Sequence, residues 1–185
     1  MKKKYKKAAG LHFMDHEFKK FALFTRERLC NIDSTCRLIM INIEKGIKFE
    51  CQGSGNCCVS RGSYGFVYLS KKDVKNLSIN FNLPSDKFIK KYCSKTDGFI
   101  HLKELKKNNG NCIFLKDKRC SVYTSRPVQC RTWPFWPENM NSKTWNNEIS
   151  KNCPGIGKGK IIKKREILKQ INADYKNALS IKGKN

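Results

Sequence analysis

The chain has 185 residues with a net charge of +24, from 39 lysine and arginine residues against 15 aspartate and glutamate residues, and it contains ten cysteines. This length suits one domain with a hydrophobic core of its own, and the cysteine content lies below that of small scaffolds built from disulfides. The basic start lacks the apolar run of a secretory signal, and no window holds the roughly 20 apolar residues of a membrane-spanning helix. We therefore expect a cytoplasmic protein whose thiols stay reduced.

The pattern along the chain predicts three segments. Residues 1–46 form a basic, partly helical N-terminal extension, because apolar residues recur at helical spacing over residues 11–29. Residues 47–157 form a cysteine-rich domain, and residues 158–185 form a basic C-terminal helix packed on that domain. This helix is predicted from Ile161 to Leu179, and its apolar stripe consists of Leu168, Ile171, Tyr175 and Ala178.

Two short helices are predicted within the cysteine-rich domain, after a short strand over residues 65–69. Ser70 can cap the first helix, with Asp73 reaching back as in a capping box, so that Val74 and Leu77 face inward. The second begins after Pro84 and ends near Cys93.

From Gly98 onward the sequence favours short strands separated by turns, over residues 99–105, 112–115 and 120–123. The turn at residues 116–118 predicts a hairpin with a cysteine on each side. A further helix over residues 142–149, with Trp145 inward, follows a proline-rich stretch. The expected fold class is α+β: a small, irregular, cysteine-rich metal-binding domain with short strands and a hairpin, several short helices and a C-terminal amphipathic helix.

The cysteines carry the chemistry. Cys57 and Cys58 are adjacent, and neighbouring Cα atoms about 3.8 Å apart are too close for an unstrained disulfide. In a reducing compartment, clustered cysteines bind metal more often than each other, and thiolates suit both zinc and iron–sulfur centres. Cys93 has no paired spacing and is predicted to lie in the core. The candidate metal ligands are Cys51, Cys57, Cys58, Cys112, Cys120, Cys130 and Cys153.

An ordered set of motifs resembles the YkgJ-like cysteine-cluster family, named for its CxxCxxCC signature. The motifs are Cys51 to Cys58, Asn111-Cys-Ile-Phe-Leu115, Cys120-Ser-Val-Tyr123, Arg126-Pro127, Cys130-Arg131, Trp133-Pro-Phe-Trp136 and Cys153-Pro-Gly-Ile156. The resemblance implies a zinc or iron cofactor, with an iron–sulfur cluster as one form of it.

One departure from the family signature affects the ligand count. Ser54 stands where the signature has its second cysteine, and a serine hydroxyl is a poor substitute for a thiolate. The seven remaining cysteines can divide into four and three. The hypothesis is one fully ligated centre and, if a second exists, one with an open position. A single centre with the other cysteines merely buried is the alternative.

Three functions remain open. The leading prediction is a metal-binding protein whose role is structural, metal-handling or redox. A related domain is associated with flagellin lysine methylation, so an accessory or catalytic domain of protein lysine methylation is an alternative. Against the methylation alternative, the sequence has no glycine-rich strand-to-helix turn that would bind a nucleotide-like cofactor. Gly155-Ile-Gly-Lys-Gly159 lacks the spacing of a phosphate-binding loop. No catalytic residue is predicted.

The third function is a basic nucleic-acid-binding module in which a metal only holds the fold. It is less favoured, because the lysines are scattered along the chain as on an ordinary solvated surface. Arg126 and Arg131 either offset thiolate charge or pair with surface carboxylates.

Overall fold

A computed structural model of the protein describes residues 40–59, 66–105 and 110–182, so the helix predicted over residues 11–29 lies outside the described residues. The described strands are β1 (Ile47–Phe49), β2 (Cys93–Thr96), β3 (Phe99–Leu102), β4 (Glu104–Leu105), β5 (Asn111–Cys112), β6 (Leu115–Lys116), β7 (Arg119–Cys120) and β8 (Ile156–Ile162). The described α-helices are α1 (Lys71–Asn80), α2 (Ser85–Tyr92), α3 (Val128–Thr132), α4 (Ser142–Thr144), α5 (Ser150–Asn152) and α6 (Lys164–Lys182).

These elements belong to two compact units. In the described ranges, unit 1 consists of residues 40–52 and 134–171, and unit 2 consists of residues 53–59, 66–105, 110–133 and 172–182. The described strands pair only in twos, all antiparallel. The predicted α+β class, with short strands, short helices and a C-terminal helix, is confirmed. No helix in the described ranges has the length and apolarity to cross a membrane.

Unit 2 is built around α1 and α2. The predicted capping box is present: Asp73 N–H donates to Ser70 Oγ, and Ser70 N–H donates to the Asp73 carboxylate. Val74 and Leu77 are buried as predicted, and Leu77 is fully inaccessible. Helix α2 begins after Pro84 and ends before Cys93, which lies in the same core.

Tight hairpins supply the strands of unit 2. Asp97 and Gly98 join β2 to β3, and Asp117 and Lys118 join β6 to β7; both residues of each turn have positive φ, which matches the twist of the flanking strands. The β6–β7 hairpin has the turn predicted at residues 116–118, but only its second arm carries a cysteine, Cys120, because Cys112 lies on β5 and pairs with β4. Phe114, just before the hairpin, is buried and anchors the hairpin to the core.

Unit 1 has a core around Phe135, which is fully buried and packs edge-on against Phe49 and stacks on Trp145. Trp145 faces inward as predicted, at the start of a π-helix (Trp145–Ile149) that lies between α4 and α5. Strand β1 pairs with β8, which lies more than a hundred residues further along the chain.

The structure differs from the sequence prediction at several elements. The strand predicted over residues 112–115 is divided between β5, which ends at Cys112, and β6, which begins at Leu115, and the strand predicted over residues 120–123 ends at Cys120. Residues 65–69 are predicted as a strand, but Tyr68 forms only an isolated bridge with His101, because Ser70 already begins the capping of α1. The C-terminal helix begins at Lys164 rather than Ile161, because Ile161 is paired in β8 with Lys48 of β1.

Candidate metal centre

The first part of the site is a tight turn carrying Cys57 and Cys58. Gly55 enters it with a φ of 69°, and Cys58 N–H donates to the Gly55 carbonyl at 2.8 Å. Ser54 Oγ accepts a weak 3.4 Å hydrogen bond from the Asn56 N–H, so this hydroxyl is engaged by its own turn. The two adjacent thiols therefore project from one short 3₁₀ turn (Asn56–Cys58).

The second part comes from two strand pairs that follow each other in the chain. Cys112 lies on β5 opposite Glu104, and Cys120 lies on β7 opposite Leu115. The turn of the β6–β7 hairpin also contacts the turn that carries Cys57 and Cys58: a Cβ atom at Gly55 would lie 2.2 Å from the Lys118 carbonyl oxygen. Only glycine allows this approach, which brings the turn of Cys57 and Cys58 against the hairpin of Cys120.

The four thiols form one cluster centred on Cys58. The sulfur atoms of Cys57 and Cys58 lie 4.0 Å apart, and the Cys58 thiol also hydrogen-bonds with the thiols of Cys112 and Cys120. These bonds raise the pKa of Cys58, which keeps the shared proton. Hydrogen bonding from Cys58 lowers the pKa of Cys57 to about 7, that of Cys120 to about 6, and that of Cys112 in the same direction.

Arg126 supplies positive charge beside this cluster. Its guanidinium lies over the Tyr123 ring, 3.6 Å from the centroid, and its Nε donates to the Tyr123 carbonyl at 2.8 Å. From that position it helps lower the pKa of Cys57 and of Cys120. Of the two interpretations of Arg126, the structure therefore supports the one in which it offsets thiolate charge.

Cys130 lies next to the cluster on α3. Desolvation first, and then repulsion by the thiolates of Cys112 and its neighbours, raise the pKa of Cys130 well above its ordinary value. Helix α3 is held in place by buried polar contacts. Asp73 Oδ1 accepts from the Val128 N–H at 3.0 Å, and Gln129 Oε1 accepts from the Tyr68 N–H at 3.0 Å.

The other two predicted ligands, Cys51 and Cys153, belong to unit 1. Cys51 is exposed and follows Glu50, whose N–H donates to the Gly155 carbonyl at 3.1 Å. Cys153 is partly buried and stands two residues before Gly155. A side chain at Gly155 would collide with the Glu50 carbonyl. The Cys-Pro-Gly motif thus needs its glycine so that two cysteine-bearing segments can run side by side.

Two further side chains of unit 2 are parts of the core. Cys93 is 5% exposed and packs in the hydrophobic cluster, as predicted. His101 is buried, and both its ring nitrogens have partners: Nδ1 lies 2.9 Å from the Leu102 carbonyl and Nε2 lies 3.0 Å from Thr96 Oγ1. The carbonyl can only accept, so Nδ1 carries the hydrogen, and desolvation lowers the pKa of His101.

Sequence reasoning missed the residues that position the ligands. Gly55 and Lys118 come into contact across a span of about sixty residues, which no local pattern reveals. The glycine within a cysteine motif was the available signal, since conformational freedom is a common reason for glycine there. Asp73 was recognised as a capping residue but not as the partner of Val128.

A scan against family models places residues 50–154 in the CxxCxxCC family, described as a "Putative zinc- or iron-chelating domain". The chain belongs to this family. The match covers more than half of the sequence and includes all seven candidate ligands, and it supports a metal-binding role.

Among curated proteins, the chain is similar to an uncharacterized protein, MJ0661, of Methanocaldococcus jannaschii. The two are 32% identical over 123 residues, which is 63% of this chain and 63% of the relative's length. No solved structure gives a significant match to the CxxCxxCC protein.

Proposed function

We propose that the protein binds one metal ion in unit 2 through the thiolates of Cys57, Cys58, Cys112 and Cys120. The observation that carries the proposal is the convergence of four sulfurs, from a turn and two strands, around Cys58. Tetrahedral thiolate coordination with zinc–sulfur bonds of about 2.3 Å puts the sulfurs about 3.8 Å apart. The observed separation between Cys57 and Cys58 is 4.0 Å.

The hydrogen bonding of the cluster fits an exchange of a proton for a metal. One S–H hydrogen can serve one acceptor at a time, whereas a divalent ion bonds to four sulfurs at once. In the described ranges, no three His, Cys, Asp or Glu side chains already have the geometry of a finished metal site. Binding would therefore displace the shared proton of Cys58 and tighten the cluster around the ion.

The residues favour a single ion, either zinc or iron, over a cubane cluster. In a cubane each iron takes one cysteine sulfur, so the protein sulfurs stand further apart than those of Cys57 and Cys58. Arg126 would offset part of the negative charge left by four thiolates around one divalent ion. The ion would supply a cross-link between the turn and the hairpin, with a binding free energy of about 10 to 16 kcal/mol, as in zinc fingers.

Cys51, Cys130 and Cys153 remain proposed metal ligands because the family match includes them. They are the three candidate cysteines that are left when four serve the first centre. We also propose a cytoplasmic location for the protein, because a reducing compartment keeps clustered thiols available for metal. The lysine-methylation alternative rests on the family resemblance alone.

The test is anaerobic purification followed by elemental analysis, an absorption spectrum and an assay for acid-labile sulfide. We expect one zinc or iron per chain and no labile sulfide if the single centre is the whole answer. A second metal per chain would support a second centre as well. Labile sulfide with the broad visible absorption of an iron–sulfur cluster would contradict the single-ion site, and a chain without metal would contradict metal binding itself.

A further inference from the structure

Unit 1 carries a protruding loop that the metal site does not use. The register of the β1–β8 pair places Lys48 opposite Ile161 and Phe49 opposite Ile156. Residues 157–160, Gly-Lys-Gly-Lys, therefore have no partner residues on β1 and bulge out of the ladder. We call residues 157–160 the GKGK loop; all four are exposed.

The GKGK loop has a defined shape. Gly157 and Gly159 have φ angles of 81° and 66°, a region that glycine enters at little cost. Lys158 N–H donates to the Gly155 carbonyl at 3.2 Å. A Cβ atom at Gly159 would lie 2.3 Å from Glu50 Cβ, so the loop sits directly on the Glu50 side chain. Both glycines thus serve to hold Lys158 and Lys160 out from the strand pair.

Positive charge is concentrated at this loop and just after it. Residues 158–165, Lys-Gly-Lys-Ile-Ile-Lys-Lys-Arg, contain five basic side chains and no acidic one. Lys163 and Arg165 are exposed like the loop lysines, as is Lys48 on β1.

Two of the three acidic groups nearby are engaged, and the third, Glu50, lies against Gly159 of the loop. Glu44 forms a salt bridge with Lys164 at 2.6 Å, and Glu166 accepts from the Lys163 N–H at 3.1 Å. Residues 44–50 and 158–166 together hold seven basic against three acidic side chains, so the surface keeps an excess of positive charge.

We propose that the GKGK loop, with Lys163 and Arg165, binds the phosphate backbone of nucleic acid. Lysine-rich stretches of five to eight residues are typical of nucleic-acid-binding surfaces. Each lysine that contacts a phosphate releases counterions condensed on the nucleic acid, and this release favours binding. The inference is independent of the metal-binding proposal, since none of its residues is a candidate ligand.

An anionic membrane is the competing polyanion, and unit 1 fits it less well. Stable peripheral membrane binding combines a basic surface with an apolar face or a lipid anchor. Among the described residues of unit 1, Ile161 is the one exposed large apolar side chain, at 53%. One isoleucine does not make such a face, whereas phosphate backbone contacts need no apolar partner.

The experiment compares Lys158→Gln/Lys160→Gln with a control pair, Lys71→Gln/Lys75→Gln. The control removes the same charge from exposed positions one turn apart on α1 of unit 2. Binding of the full chain to a labelled single-stranded DNA oligonucleotide is measured by fluorescence anisotropy between about 50 and 200 mM salt. Vesicles of phosphatidylserine and phosphatidylcholine serve as the membrane probe.

Each phosphate contact on a single strand contributes a slope of about −0.7 in log K against log salt, or about fivefold in affinity at about 0.1 M salt. We expect the loop variant to lose about 25-fold in affinity and about 1.4 in slope, and the control to lose far less. Equal losses in both variants, no binding by the wild type, or binding to vesicles but not to DNA would each overturn the proposal. Metal content, unchanged in both variants, keeps the result separate from that of the metal site.

Discussion

Substitution of Gly55 tests whether the metal centre depends on the contact between the turn of Cys57 and Cys58 and the β6–β7 hairpin. Alanine at this position meets two obstacles. Its φ of 69° costs a residue with a Cβ about 1 to 2 kcal/mol. The new Cβ would also lie 2.2 Å from the Lys118 carbonyl oxygen, where real Cβ contacts do not come under 3.0 Å, so turn and hairpin must separate by about 0.8 Å.

Gly53 provides the matched control. Its φ of 62° imposes the same strain on alanine, but nothing lies within 4 Å of the position that a Cβ would take. Gly53→Ala should therefore lose about 1 to 2 kcal/mol of stability and keep its metal affinity. Gly55→Ala should lose a further 1 to about 3 kcal/mol through overpacking. The same separation pulls Cys57 and Cys58 away from Cys120. If this cost of about 1 to 3 kcal/mol falls on metal binding, the metal affinity should be about 5- to 150-fold weaker.

Two assays separate these effects. Urea denaturation of the metal-free proteins gives the free energy of unfolding, and competition with a chromophoric chelator gives the metal affinity. If the two alanine variants bind metal equally well, the close approach of Gly55 to Lys118 does not position the ligands. The unfolding curve of the metal-free Gly55→Ala variant shows whether any loss of binding comes from a chain that has failed to fold.

Three further outcomes follow from single side chains. Asp73→Asn should lower the free energy of unfolding by about 2 to 4 kcal/mol in urea titration, because the buried carboxylate accepts three hydrogen bonds and an amide leaves part of them unmade. The exposed Asp86→Asn, in the first turn of α2, should change it by less than about 0.5 kcal/mol, and equal losses would contradict this role. Ser54→Cys should leave the metal content per chain unchanged, because four thiolates already complete the centre; a rise on elemental analysis would show that residue 54 reaches a metal. The pKa of His101 in the folded protein lies below its ordinary value of 6.5, so the stability that this residue contributes is present above pH 6.5 and lost as the pH falls below that value. If His101→Asn and the wild type show the same pH dependence of the urea midpoint, His101 is not the source of this loss.

Local chemistry explains what the sequence could predict. The Ser70 capping box depends on residues three positions apart, and the start of α2 depends on Pro84, so both are legible without tertiary information. Asp97-Gly98 is a local signal that the sequence prediction did not use. Asp-Gly is a strong hairpin signal, and the β2–β3 pair could have been predicted from it.

The rest of the fold depends on contacts between distant segments. The register between β1 and β8 determines that residues 157–160 loop out of the strand pair. Sequence periodicity does not specify this register, because the strands are short and exposed. The cysteine motifs identified the candidate ligands as a set. The central position of Cys58 among them arises from tertiary packing, because the approach of Gly55 to Lys118 decides which thiols meet.

The central claim is that Cys58 and its three neighbours hold the metal, and a comparison of two cysteine variants tests it most directly. Cys58→Ala removes the thiol at the middle of the cluster, whereas Cys93→Ala removes a core thiol outside it. We predict that anaerobically purified Cys93→Ala retains the metal content of the wild type, with some loss of stability, and that Cys58→Ala loses one metal per chain. Full metal content in Cys58→Ala, or an equal loss in both variants, would contradict the assignment.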